Sequence, residues 1–169
     1  METVLGNMVA CSAENGICLL AFEDCLSESE AGILRKHFGQ EIIEGSNDHL
    51  ELLESELNEY FLGTRKEFTV KLCPPGSDFQ KAVWNELLKI SYGSTRTYLE
   101  QSVALGNRLA IRAVANANGS NRIAILIPCH RVIGSDGSLT GYGGGIERKR
   151  WLLDHERKYS GKNSDLTLF

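Results

Sequence analysis

The sequence predicts an α/β chain of the α+β kind: a small sheet-plus-helix domain, then a mostly helical one. Three observations predict it. The chain opens with two apolar stretches folded about Asn15-Gly16. Pro74-Pro75-Gly76 then breaks the pattern near the middle. Beyond the break, two capping boxes each precede apolar residues at helical spacing.

In order along the chain, Met8–Ala13 and Ile17–Phe22 read as a hairpin, with Glu14-Asn15-Gly16 supplying the turn. Ser27 and Glu30 have the spacing of a capping box, which predicts a helix up to Phe38, stopped by Gly39. Leu50, Leu53, Leu57 and Phe61 share one face of a second helix ending near Gly63. Phe68–Leu72 alternates weakly, as a further strand would. Residues 1–73 form the expected first domain and 77–160 the second, with 161–169 as a tail. In the second domain Ser77 and Gln80 cap a helix whose apolar face is Phe79, Val83, Leu87 and Ile90. Thr97 and Glu100 cap a short helix reaching about Leu105. Gly106-Asn107 turns the chain, and Asn107 caps a helix from Arg108 to about Asn118. The pair has the outline of a helix-turn-helix, although an ordinary helical hairpin explains the spacing equally well. Ile123–Ile127 is a buried apolar run. A glycine-rich stretch follows, and Ile146–Glu156 closes the domain as a helix with a mixed charged face and a Trp151-Leu152-Leu153 cluster.

Composition narrows the function. With 169 residues, 42% of them hydrophobic and 24% charged, the chain can bury roughly 70% of its unfolded surface without staples. There is no run of eighteen apolar residues to span a membrane and no basic-then-apolar leader. Five cysteines without a leader read as reduced thiols in the cytosol. Residues 1–70 hold four cations against fourteen carboxylates, a charge of −10. Residues 71–169 hold fourteen against eight, a charge of +6. A basic half beside an acidic one fits a polyanionic partner, or simply a solvated charged face.

The chemistry concentrates at Pro128-Cys129-His130-Arg131. A thiol followed by a histidine and an arginine sits in a field that favours thiolate, whereas most isolated thiols are buried and inert. Adjacent residues of a strand face opposite ways, so a Cys129–His130 couple needs a turn or a bridging water. The glycines of residues 134–145 mark positive φ or close approach to a ligand, or else a plain surface loop.

IPCHRVIGSDGSLTGYGGGIERKRWLLDHE, residues 127–156, resembles the active-site segment of the O6-alkylguanine-DNA alkyltransferases. The resemblance extends back to Phe79 through the Arg112-Ala113-Val114 and Asn121 positions. Residues 1–70 are similar only loosely. By this resemblance, Cys129 accepts the alkyl group from O6-alkylguanine, and less well from O4-alkylthymine. His130 takes the thiol proton through a water, and Glu156 orients that histidine. Asn121 is the hinge asparagine. Tyr98 hydrogen-bonds a ring nitrogen of the departing guanine. Tyr142, Gly143 and Val132 line the pocket of the extruded base. Arg112 enters the base stack in place of the flipped nucleotide, from a minor-groove helix-turn-helix. Ala113, Ala115 and Ala117 let that helix approach closely, and Thr97, Tyr98 and Asn107 complete the DNA-binding set. The reaction is stoichiometric, because no second thiol stands ready to regenerate Cys129.

Some family members hold zinc in the first domain. Cys11, Cys18, Cys25, His37 and His49 are suitable ligand types, but one expected ligand position falls on Ala13, so no metal and no cofactor is expected. The expected partner is double-stranded DNA containing alkylated guanine, with no membrane, bound by a monomer. The expected location is the cytoplasm, at the nucleoid of a prokaryote, or the nucleus of a eukaryote. Three other readings compete. Damage-binding alkyltransferase-like proteins lack the acceptor cysteine. A transcription factor would need a dimerisation segment and base-reading side chains on Arg108–Asn118, where alanines dominate. A cysteine hydrolase has only Cys-His in its favour.

Overall fold

A computed structural model describes residues 1–161, so the expected tail at 161–169 lies outside the described residues apart from Gly161. The chain divides into two compact units, Met1–Pro75 and the part from Gly76 onward. Among the described residues no helix is long and apolar enough to cross a membrane.

In the first unit β1 (Met8–Ala13) pairs antiparallel with β2 (Gly16–Phe22). The register shifts between Cys11 and Ser12, which leaves Cys18 as the extra residue of a bulge. Gly16 is required where it stands. Its φ is 134°, and a Cβ there would lie 2.3 Å from the Lys71 carbonyl oxygen.

The expected strand at Phe68–Leu72 reduces to one parallel bridge, Ile17 with Leu72. The reason is Glu56. Its buried carboxylate accepts the backbone N–H of Thr69 at 3.0 Å and of Val70 at 3.2 Å, taking donors a ladder would have used. Glu56 also pairs with Arg65 at 3.0 Å. The buried face of α2 (Asp48–Phe61) is therefore Leu53, Glu56, Leu57 and Tyr60, with Leu50 and Phe61 only half-buried. In α1 (Ser29–Phe38) the Ser27–Glu30 capping box does not form. Ser27 Oγ instead accepts from Ser29 N at 3.3 Å and meets the Ser29 hydroxyl at 2.8 Å. Gly39 ends the helix at φ 65°, as expected.

The second unit begins with α3 (Asp78–Leu87), where the Ser77–Gln80 capping box is complete. Val83, Leu87 and Ile90 are buried as expected, but Phe79 is 45% exposed. Trp84 takes the core position instead, and its indole N–H donates to the Ala117 carbonyl at 2.8 Å. Two residues, β3 (Arg96–Thr97), pair in parallel with β4 (Val132–Ile133), a contact no sequence periodicity announces. Thr97 caps α4 (Tyr98–Ala104) in a second complete box. Asn107 then caps a 3₁₀ turn, Arg108–Ala110, which leads into α5 (Ile111–Gly119). α6 (Ile146–Tyr159) closes the unit.

The two helices of the helix-turn-helix are locked by a buried amide pair. Asn118 Nδ2 donates to Gln101 Oε1 at 2.7 Å, and Gln101 Nε2 donates back at 3.3 Å and to the Val83 carbonyl at 3.2 Å. Asn118→Ala leaves Gln101 Oε1 without this donor in a dry site. We expect a loss of about 1–3 kcal/mol in urea denaturation. A change under about 0.5 kcal/mol would show that the pair does not hold α5 against α4.

Candidate active site

Cys129, His130 and Arg131 form a single 3₁₀ turn, all three buried. This turn, and not a strand, removes the alternation of faces. The segment leading into it is held by Asn121. Its side-chain N–H groups donate to the Ile127 carbonyl at 2.8 Å, the Ile123 carbonyl at 3.3 Å and the Cys129 thiol at 3.2 Å. Its Oδ1 accepts from Ile123 N at 3.0 Å. Between these anchors Ile125 has φ 69°, the only positive value at a non-glycine residue among those described. A β-branched residue there is strained by roughly 1–2 kcal/mol. The buried run 123–127 is therefore a tight reversal that delivers Cys129 to the Asn121 amide.

His130 Nε2 lies 2.9 Å from Glu156 Oε1, with both side chains fully buried. A carboxylate only accepts hydrogen bonds, so Nε2 carries the proton and Nδ1 keeps its lone pair. Nδ1 is buried without a hydrogen-bond partner among the described residues. Glu156 is held further by Arg131, whose Nε and Nη2 each donate at 2.9 Å, and by Gly93 N at 3.1 Å. Arg131 Nη1 donates to the Ile90 carbonyl at 2.5 Å. Burial works to raise the Glu156 carboxyl, but His130 and Arg131 outweigh it and hold the group well below the usual carboxylate range.

The sequence leaves the thiol between an activated thiolate and a buried neutral group, and its surroundings favour the neutral form. Burial pushes Cys129 above its ordinary pKa, and the Asn121 hydrogen bond and the Lys149 charge only partly offset it. Burial likewise lowers His130, against the pull of Glu156. Arg131, expected to favour thiolate, spends its charge on Glu156. The resting pair is a neutral thiol beside a neutral imidazole.

Lys149 was missed. It is fully buried, donates to the Thr140 carbonyl at 2.6 Å, and is lowered to about 8 by burial. Tyr98 binds the same loop, its hydroxyl donating to the carbonyls of Thr140 at 3.2 Å and Gly141 at 3.3 Å. A signal existed in the sequence: Lys149, Leu152, Leu153 and Glu156 stand at i, i+3, i+4 and i+7, the buried stripe of α6. The other expected residues are placed as follows. Tyr142 is half-buried with its ring 6.3 Å from that of His130, and Gly143 is exposed. Val132 is fully buried in β4 and presents no side-chain surface to a pocket. Arg112 and Ala113 are exposed on α5. Ala117, expected at the DNA, is 3% exposed because it lies on the core side of α5 under Trp84. Thr97 and Asn107 serve as helix caps. Among the described residues no three or more Cys, His, Asp or Glu side chains are grouped to hold a metal ion.

Residues 78–158 match the family model described as 6-O-methylguanine DNA methyltransferase, DNA binding domain, and residues 1–74 match its ribonuclease-like domain. The chain belongs to the 6-O-methylguanine DNA methyltransferase family. The methylated-DNA–protein-cysteine methyltransferase of Mycobacterium tuberculosis is 56% identical over 114 residues, 68% of each chain. The inducible enzyme of Bacillus subtilis is 45% identical over 126 residues, 75% of this chain and 70% of that one. The crystal structure of the M. tuberculosis protein in complex with DNA superposes with a TM-score of 0.81 at 38% identity, covering 94% of this chain and 91% of the other.

Glu156 is the buried counter-charge of Arg131. Glu156→Gln leaves the 7%-exposed Arg131 without its counter-charge. The expected cost is about 3–5 kcal/mol in urea unfolding at neutral pH. A cost below about 1 kcal/mol would mean that Arg131 is neutralised elsewhere.

Proposed function

We propose that this protein repairs alkylated duplex DNA by moving the alkyl group of O6-alkylguanine, and less well O4-alkylthymine, onto its own Cys129, once per molecule. The observation that carries the reading is the placement of His130: Nε2 faces the Glu156 carboxylate at 2.9 Å, which assigns its proton there and leaves a buried Nδ1 lone pair in the residue next to the thiol. Nδ1 takes the thiol proton through a water. Sγ attacks the alkyl carbon, the S–C bond forms and the C–O6 bond breaks. The departing guanine gains a proton at a ring nitrogen from the Tyr98 hydroxyl, and solvent returns the imidazolium proton to the phenolate. Proton transfer and attack proceed together, because burial holds the resting thiol neutral. The thioether product is not hydrolysed, so turnover stops.

Family membership supports this reading, as does the name methylated-DNA–protein-cysteine methyltransferase borne by the M. tuberculosis and B. subtilis relatives. DNA as partner is supported by the DNA-bound M. tuberculosis structure and by the +6 charge of residues 71–169. Arg112 is exposed and makes no hydrogen bond or ion pair to another described residue, as suits a side chain that replaces a flipped nucleotide. The protein works as a monomer wherever the cell keeps its DNA. Asn121 positions the thiol, and Tyr142 with the backbone of Gly143 borders the base.

Cys129→Ala is expected to abolish alkyl transfer while still binding the damaged duplex in gel-shift titration. Retained transfer would contradict the assignment. Arg112→Ala is expected to slow duplex repair at least tenfold and leave reaction with a free O6-alkylated base unchanged. An equal loss on both substrates would rule out the flipping role. For pH, the base must be neutral. Since burial lowers His130 below its ordinary value of ~6.5, neutral imidazole persists through that pH and is lost only as pH falls further. The His130 contribution to the single-turnover rate is therefore expected to hold steady as the pH is lowered to about 6.5 and to fall only in more acid solution. A fall already beginning at pH 7.5 would contradict the buried neutral base.

A further inference from the structure

One exposed side chain just before α5 is explained neither by phosphate contact nor by Arg112. Leu109, in the 3₁₀ turn that opens this helix, is 94% exposed, the most exposed large apolar side chain among those described. Its backbone is firmly held. Asn107 Oδ1 accepts the Leu109 N–H at 3.0 Å, and Ala110 N–H closes the turn on the Asn107 carbonyl at 3.0 Å. The fold thus presents the leucine to solvent on a fixed scaffold.

Its position gives it a role. Leu109 and, on α5, Arg112, Ala113 and Asn116 are all exposed, whereas Val114, Ala117 and Asn118 are buried. Arg112 follows Leu109 by three residues, in the first turn of α5, so both exposed side chains belong to the same short stretch of chain. Ile111, the first residue of α5, is a second exposed apolar side chain between them in sequence. An apolar side chain next to an arginine is how minor-groove proteins open a base step: the cation satisfies polar edges and the hydrocarbon covers the unstacked base face.

Building on the DNA interface proposed above, we infer that Leu109 is an apolar wedge that enters the minor groove beside Arg112 and covers the base face bared when the alkylated nucleotide leaves the stack. It is a positioning residue for base extrusion and takes no part in the chemistry at Cys129. Because it displaces water and not counterions, its contribution does not depend on salt.

The test compares the parent protein with Leu109→Ala and Leu109→Met on a duplex carrying one O6-methylguanine beside a fluorescent 2-aminopurine. Binding is measured in a Cys129→Ala background over a range of salt. Leu109→Ala is expected to weaken damaged-duplex binding about tenfold, with the slope of log K against log salt unchanged. It should diminish the unstacking signal and slow duplex repair, with no effect on reaction with the free alkylated base. Leu109→Met should restore all of these. If Leu109→Ala binds, unstacks and repairs the duplex like its parent, or loses free-base reaction equally, the wedge is overturned. If the parent itself fails to bind the duplex, the interface reading falls and takes the wedge with it, a result distinct from a variant that matches a working parent.

Discussion

Burial of one carboxylate organises the catalytic unit. Glu156 sits fully out of water, where an isolated carboxylate costs several kcal/mol. It receives two N–H groups from Arg131, one from His130 and one from the Gly93 backbone, which occupies about four lone-pair sites. Those bonds join α6 to the Cys129–Arg131 turn and to the chain after α3. The same contacts that make the charge tolerable also fix the tautomer of His130. Stability and reactivity therefore share one group, and the base cannot be repositioned without exposing the charge.

Two further anchors act on the thiol and its loop. The Asn121 amide binds the thiol and the carbonyls before it, at the cost of a left-handed Ile125. Lys149 and Tyr98 converge on the Thr140 carbonyl from α6 and α4. Together these bonds hold the Thr140–Gly141 loop in place without a bound base.

Much of this was legible in the sequence, because local rules govern it. The Ser77–Gln80 and Thr97–Glu100 boxes and the Asn107 cap form where spacing places them. The hairpin of β1 and β2 likewise follows from turn chemistry. What stayed hidden depends on long-range partners. Glu56 reads as a solvated helix residue until Thr69 and Val70 supply donors thirteen and fourteen residues away. Lys149 shares the stripe of Leu152 and Leu153, but its charge reads as a surface residue until the Thr140 carbonyl is folded over it. The Cys129–Glu156 cluster was found through resemblance, since Cys-His alone carries little weight. Adjacency in sequence places Arg131 beside the thiol, but its guanidinium bonds Glu156. Ala117 was misplaced for a related reason. A run of small residues does not show which side of α5 the Trp84 indole covers.

The central claim is that Cys129 is a single-use acceptor. Its most direct test is the intact mass of the wild-type protein after mixing with a duplex holding one O6-methylguanine, followed by peptide mapping. The account predicts a gain of one methylene per molecule, confined to the Cys129 peptide and ending at one equivalent. No gain despite tight binding to the duplex, or continued release of repaired DNA beyond one equivalent, would contradict it.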